Sequence, residues 1–216
     1  MQIKTFAFLK VKISDNNILL LADVIASTDL DKPELVYGRI DASCEMLNKR
    51  FEPAIPLQRQ YGDEVAGLFE ATAPLYDVIS HLREAAHPRA KLRFVAVRGK
   101  IGVVDRDISK VGGEVFKRAS KQIDALKRKG RFGCLEINPD LDIALNALTQ
   151  GSNYLIESMT ARQREVYTLL KSERTHEQIA RLLEVKRQAV GDAAKRGAAA
   201  IVLELEAAIR KLLGNS

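Results

Sequence analysis

The sequence predicts an α+β protein. A ferredoxin-like β-α-β-β-α-β domain is expected over residues 1–151, and an all-α helix–turn–helix module over 152–216. Three observations carry this expectation. Apolar runs typical of strands alternate with helix-type segments as far as residue 137. A Gly62-Asp63 pair separates two short strand-like runs, as in a hairpin. From Asn138 onward strand signals vanish, and Ala, Leu, Glu and Arg dominate.

Each element can be justified in order. Ile3, Thr5, Ala7, Leu9, Val11 and Ile13 recur with period two, which suggests a strand, and Asp15-Asn16-Asn17 suits a turn. Residues 18–25, ILLLADVI, form an apolar run broken only by Asp23, the pattern of a central strand. Asp31-Lys32-Pro33-Glu34 combines a capping Asp, an early Pro and a Glu three residues after the cap, so a helix is expected to about Arg50. IPLQRQY (55–61) and EVAGLFE (64–70) flank the Gly-Asp turn. Residues 74–86 look helical, and KLRFVAVRG (91–99) alternates like a strand. An extended stretch near Ile101–Asp105, a helix over 114–129 and a strand over 131–137 complete the domain. Asn138-Pro139-Asp140 opens another helix, and Gly151-Ser152-Asn153 reads as a soft joint between domains.

Composition narrows the classes of function. Apolar residues make up 46% and charged residues 29%, which suits a folded globular chain and excludes a disordered or collagen-like one. No apolar run reaches the roughly 18 residues of a membrane span, so no membrane partner is expected. Lysines interrupt the first apolar stretch, which therefore does not read as a signal peptide. Cys44 and Cys134 are too few for a disulfide framework, and a cytoplasmic location is expected. The net charge is +6. Lys117–Arg131 holds seven basic residues and one acid, so this one segment matches the whole excess.

In the C-terminal module, Thr160-Ala161-Arg162-Gln163 and Thr175-His176-Glu177-Gln178 are both T-x-x-Q capping boxes. They open helices expected over 161–171 and 176–183, with Val166, Leu169, Leu170, Ile179, Leu182 and Leu183 inward. A short break leads to a third helix from Arg187, the spacing of a DNA-binding helix–turn–helix. Lys186, Arg187, Gln188, Asp192, Lys195 and Arg196 are expected to face outward. Arg and Gln suit guanine and adenine edges, and Lys neutralises phosphate. The stretch TARQREVYTLLKSERTHEQIARLLEVKRQAV resembles the helix–turn–helix of sigma-factor region four and of LuxR-type regulators. Lys186 departs from those families, which usually carry Ser or Thr there. Val190, Ala194, Gly197, Ile201, Leu205, Ala208 and Leu212 suggest one long helix with a single apolar stripe. Its far end is expected to pack on the N-terminal domain or to form a homodimer, which would match a two-fold DNA site.

Asp23 and Asp63 are the candidate metal ligands. In a β-α-β-β-α-β sheet the first strand neighbours the central hairpin, so the two carboxylates could converge. Mg²⁺ binds through one or two carboxylates plus water and phosphate oxygens, the arrangement used in nucleotidyl transfer. The flanking residues strengthen this reading. ADVIASTD resembles the first metal motif of class III nucleotidyl cyclases, and RQYGDEVAGLF resembles their Gly-Asp hairpin and that of diguanylate cyclases. KLRFVAVRGKIGVV and VGGEVFKRASK are similar to two further cyclase motifs. With the helix–turn–helix behind them, residues 18–200 resemble the SatD family, bacterial proteins of poorly defined function, with the first 17 residues as an addition. The resemblance implies a cyclase- or palm-type domain in which Asp23 and Asp63 hold metal and Glu64 is the following acid. Lys117 stands where cyclases have Asn, Lys121 where they have the transition-state Arg, and Arg59 where a Lys reads the base. Lys117, Lys121 and Arg59 are therefore the candidate nucleotide-binding residues. Asp23, Asp63, Lys117 and Lys121 are the candidates for any catalysis.

Three functions follow as expectations. The first is a regulator that binds double-stranded DNA and senses a nucleotide or divalent metal through its N-terminal domain. The second is an Mg²⁺-dependent nucleotidyltransferase or cyclase with the helices as a localiser. The third is a catalytically dead adaptor for protein contacts. His81, His87 and His176 have no partners at metal spacing and read as surface residues, and Cys134 reads as a buried small hydrophobe.

Overall fold

The computed structural model describes residues 16–60, 62–102, 108 and 112–214. The strand expected over 3–13 and most of the extended stretch 101–105 lie outside the described residues. The chain is mixed α+β. Strands are β1 (Ile18–Val24), β2 (Ile55–Gln60), β3 (Glu64–Phe69), β4 (Leu92–Arg98) and β5 (Gly133–Glu136). Helices are α1 (Pro33–Phe51), α2 (Leu75–Ala86), α3 (Glu114–Lys129), α4 (Asp142–Ser158), α5 (Ala161–Lys171), α6 (His176–Leu182), α7 (Arg187–Arg196) and α8 (Ala199–Leu212). The strands form one sheet in the order β2-β3-β1-β4-β5. β1 runs antiparallel to β3 and β4, β2 antiparallel to β3, and β5 parallel to β4.

β1 is buried along its whole length because helices cover both faces of the sheet. Ile18, Leu20, Ala22 and Val24 point to the side of α1, α2, α4 and α8. Leu19 and Leu21 point to the side of α3. A continuous apolar run is the sequence consequence of a strand buried on both faces. α1 presents Val36, Ile40, Cys44 and Leu47, and α3 presents Val115, Ala119, Ile123 and Leu126, each a stripe at helical spacing. Each fully buried Leu or Ile contributes roughly 2 kcal/mol. At Gly133 a Cβ would overlap the Phe94 ring, so β5 can lie beside β4 only with glycine there.

The outer edge of β5 is closed by side chains of α4. Asn146 accepts from the Leu135 N–H at 2.8 Å and donates to the Leu135 carbonyl at 2.7 Å. Gln150 donates to the Gly133 carbonyl at 2.5 Å, and Asp142 accepts from Ile137 N–H and Asn138 N–H at 2.9 Å each. These three residues are spaced four apart on one helical face and take the place of a neighbouring strand.

Several local expectations need correction. Asp31 does not cap α1; Lys32 is the N-cap residue and makes no side-chain cap bond. Gly151-Ser152-Asn153 are not a joint but the interior of α4, with Ser152 and Asn153 fully buried. The long third helix is two helices, broken where Ala198 takes a left-handed conformation (φ +51°). α8 buries Ala199, Val202, Glu206 and Ile209 rather than the expected stripe, of which Ile201 is 53% exposed. The break resets the phase, so a stripe counted continuously from Val190 drifts off the buried side. Leu182 is exposed too, whereas Leu183 packs against the small core of α5–α7.

The end of α8 packs on the sheet domain through Ile209, Leu212 and Leu213. At this junction Glu206 is fully buried. Its carboxylate accepts from Tyr167 Oη at 2.8 Å and Tyr76 Oη at 3.4 Å. Arg210 lies 3.6 Å and Lys171 4.0 Å away. Burial and the Glu206 charge push the Tyr76 phenol up to about 12, and move Tyr167 upward in the same way. Tyr167→Phe removes the shortest of these bonds and leaves a buried carboxylate under-satisfied. A loss of about 2 kcal/mol in urea unfolding is expected, with the sheet domain and α5–α8 still unfolding in one transition by circular dichroism.

Candidate functional site

Asp23 continues the Leu19-Leu21 alternation of β1 and so faces the α3 side. It is paired with Glu64 on β3 and Arg93 on β4. This row ends the apolar surface beneath α3 with charged groups. Arg93 Nη1 donates to Asp23 Oδ2 at 2.8 Å, and Lys127 Nζ from the last turn of α3 stands 3.3 Å from Oδ1. The Asp23 and Arg93 side chains are 9% and 10% exposed, so this ion pair is largely desolvated.

Asp63 sits in the β2–β3 turn, where Gly62 takes φ +91°, a conformation that favours glycine. The Asp63 carbonyl accepts from Val24 N–H at 3.1 Å, and its Oδ2 accepts from Ser27 Oγ at 2.5 Å. The hairpin tip and the end of β1 therefore converge. Glu64 is raised above the usual carboxylate range by burial first and then by the charges of Asp23 and Asp63, with Lys127 opposing. Asp23, Asp63 and Glu64 form one electrostatic group, balanced by Arg93 and Lys127.

This group fits Mg²⁺ poorly. The ion needs near-octahedral oxygens at roughly 2.0–2.1 Å. Each Asp23 oxygen already faces a cation, and Asp63 Oδ2 faces Ser27. Among the described residues no group of three His, Cys, Asp or Glu side chains is arranged to hold a metal.

The candidate phosphate-binding residues lie elsewhere. Lys117 and Lys121 are exposed on α3. Lys127 is the residue of α3 that reaches Asp23, and Lys117 lies ten positions earlier, roughly 15 Å along the helix axis. Arg59 faces α1, where Asp41 accepts from its Nε and Nη2 at 2.9 Å each, and its Nη1 donates to the Gly62 carbonyl at 2.8 Å. Its guanidinium also lies 4.8 Å from the Tyr37 ring centroid, so it braces the hairpin against α1. Among the described residues the cations paired with Asp23 are Arg93 and Lys127; Lys121 lies six positions before Lys127, roughly 9 Å along the helix axis, and Arg59 reaches the hairpin at Gly62. Sequence reasoning missed Arg93, Lys127 and Ser27. Arg93 was findable, because it heads the Arg93-Val95-Val97 alternation as Asp23 ends the Leu19-Leu21 one. Lys127 lies within the basic segment Lys117–Arg131 and Ser27 within ADVIASTD, but neither stretch singles out the residue that reaches the carboxylates. Cys134 is half-buried and Cys44 buried, and burial pushes their thiols up to about 11 and 12, which leaves little nucleophilic thiolate. His81, His87 and His176 are half-buried rather than on the open surface.

The second candidate site is the outer face of α7. Both capping boxes form, with Gln163 N–H donating to Thr160 Oγ1 at 3.3 Å and Gln178 N–H to Thr175 Oγ1 at 3.2 Å. Val166, Ile179, Ala180, Val190 and Ala193 form a small core that sets α7 against α5 and α6. Glu184 takes a left-handed conformation (φ +53°) in the turn, and Val185 tucks against that core. Lys186, Arg187, Gln188, Asp192, Lys195 and Arg196 are all exposed as expected. None of Lys186, Arg187, Lys195 and Arg196 is engaged in an ion pair among the described residues.

Two outcomes test the Asp23 group. Arg93→Met leaves a buried carboxylate with only an exposed lysine and should cost about 3 kcal/mol in urea unfolding, against about 1 kcal/mol or less for Lys127→Ala. Glu64 is more readily protonated folded than unfolded, so the folded state loses stability as pH rises from its unfolded value through its raised folded value, and the penalty stays constant above that. Glu64→Gln should therefore gain stability relative to the parent at neutral pH, and the gain should vanish below the carboxylate range.

The chain matches no protein-family model and no curated protein sequence.

Proposed function

We propose that the protein is a regulator that binds double-stranded DNA through α5–α7, with the sheet domain responding to a small ligand. The observation that carries this reading is the α7 face. It offers Arg187 and Gln188 at the start of a helix, with Lys186, Lys195 and Arg196 beside them, all exposed and, among the described residues, none paired with a carboxylate. Helices set at their N-terminal ends into the major groove read bases with such donors, while lysines hold phosphates.

The sheet domain is read as ferredoxin-like and of the cyclase or palm type, as in the SatD family. The order β-α-β-β-α-β, the neighbours β2-β3-β1-β4 and their antiparallel pairing support this, as does the meeting of Asp23 with the hairpin. A sensing role is favoured over turnover. Catalysis by two metal-bound carboxylates would require Asp23 to leave Arg93 and Lys127. A nucleotide remains the ligand class that the motif pattern proposes. A homodimer across the open side of α8, where Ile201 is exposed, would match a two-fold operator.

The test is fluorescence anisotropy with duplex DNA at low salt. Saturable binding is expected. Arg187→Ala and Lys195→Ala should each weaken it, and Lys195→Ala should reduce the salt slope by about 1. No binding at low salt would end this reading.

A further inference from the structure

A cleft of about 920 Å³ lies between the sheet domain and the helix–turn–helix. One wall is the His87-Pro88 turn after α2, and the others are α5 from Ala161 to Leu169, with Arg164, Thr168 and the Arg162–Glu165 ion pair at 2.9 Å, and Leu182-Leu183 at the end of α6. Leu182, exposed and assigned to no core, finds its place here. A size of this order suits a small molecule, and pockets of this kind combine apolar walls with a few polar groups that fix orientation.

Arg164 is the lining residue that connects the cleft to a charge-unbalanced cluster behind it. Glu157, at the end of α4, has Arg83 at 3.8 Å, Lys91 at 3.0 Å and Arg164 at 3.4 Å. Three cations therefore share one carboxylate. The side chains of Arg83 and Arg164 are only 8% and 11% exposed. Two buried guanidiniums with one shared partner are costly to desolvate unless a further anion completes them. The Arg83–Glu157 separation is too long for a hydrogen bond. His87 adds to the picture, since burial and the neighbouring Arg164 disfavour its cation, so a further positive charge is already resisted there. Glu84, the carboxylate next to Arg83 in sequence, does not relieve the excess, being bound to Lys171 at 2.8 Å.

We propose that this cleft binds a small molecule with an oxyanion group and an apolar body. Arg164 takes the phosphate or carboxylate, supported by Arg83 and Lys91, and Leu169, Leu182 and Leu183 cover the apolar part. Arginine suits this role because its planar fork of donors matches both oxyanions. The ligand touches the α2 turn on one side and α5 and α6 on the other, so it bridges both parts of the molecule. This assignment does not depend on DNA binding, and its test contains no DNA.

The experiment is titration of the full chain followed by amide and imidazole NMR, with phenyl phosphate, benzoate, inorganic phosphate and phenol as probes. Phenyl phosphate or benzoate should bind saturably at millimolar or lower concentration and shift His87 and Thr168. Phenol and inorganic phosphate should bind at least tenfold more weakly, because each lacks one half of the recognised chemistry. Arg164→Gln should weaken the better anion at least tenfold. Leu182→Glu, at an exposed position that leaves the fold intact, should do the same by repelling the anion and removing an apolar wall. Loss of binding in Leu182→Glu also decides the matter if Arg164→Gln fails to fold. No saturable binding by either aromatic anion up to 10 mM (on the order of the weakest useful affinities) would overturn the assignment. So would phenol binding equally well, or undiminished binding in Leu182→Glu. A preference for phenyl phosphate over benzoate assigns the group as phosphate, and the reverse assigns carboxylate.

Discussion

The burial of Glu206 governs how the parts of this molecule meet. A carboxylate with no solvent exposure is tolerable only where other groups replace water around it. Those groups come from separate parts of the fold: Tyr76 from α2, Tyr167 and Lys171 from α5, and Arg210 from its own helix. Arg210 in turn donates to Asp77 of α2 at 2.8 Å and lies over the Tyr76 ring. Moving the helix–turn–helix away from the sheet would strip the carboxylate of several partners at once. The polar contacts thereby fix one orientation, which a purely apolar seam of Leu and Ile would specify less sharply.

A second carboxylate, Asp23, shows the same logic with a different outcome. Its position at the end of a central strand, beside a Gly-Asp hairpin, is where a metal ligand would stand in the fold that the motifs suggest. Here Arg93 and Lys127 occupy that electrostatic role. The negative charge of the strand end is retained, but side chains on neighbouring elements neutralise it. The domain keeps a charged row at the end of its central strands while directing that charge inward.

Much of the fold was legible in the sequence, because burial imposes periodicity. β1 reads as central since both of its faces are covered, and the two Thr-x-x-Gln boxes mark their helices because each cap is built within four residues. Local signals failed where distant groups decide. Asp31 looks like a cap, yet the helix begins after Lys32. Gly151 looks like a break, yet the packing of α4 on α8, with Leu205 beside Gly151, favours continuous helix. The candidate sites divide along the same line. The outward residues of α7 were readable from one helix alone. The partners of Asp23 were not, since Arg93 and Lys127 join it only through strand register and the far end of another helix. The cluster at Glu157 gathers α2, the residue before β4, α4 and α5, and no single stretch of sequence announces it.

The polar face of α4 ties the sheet to the DNA-reading candidate in a geometric sense. Asp142, Asn146 and Gln150 fix the helix against β5, and two turns later Ile156 and Glu157 meet the α5–α8 bundle. The helix therefore works as a keyed shaft, with both ends locked in rotation. Each residue of an α-helix turns it by about 100°, so the length between the two keys sets the heading of α7 relative to the sheet. Insertion of a single residue there would force one lock to open, whereas seven residues, close to two full turns, would restore the heading and change only the distance.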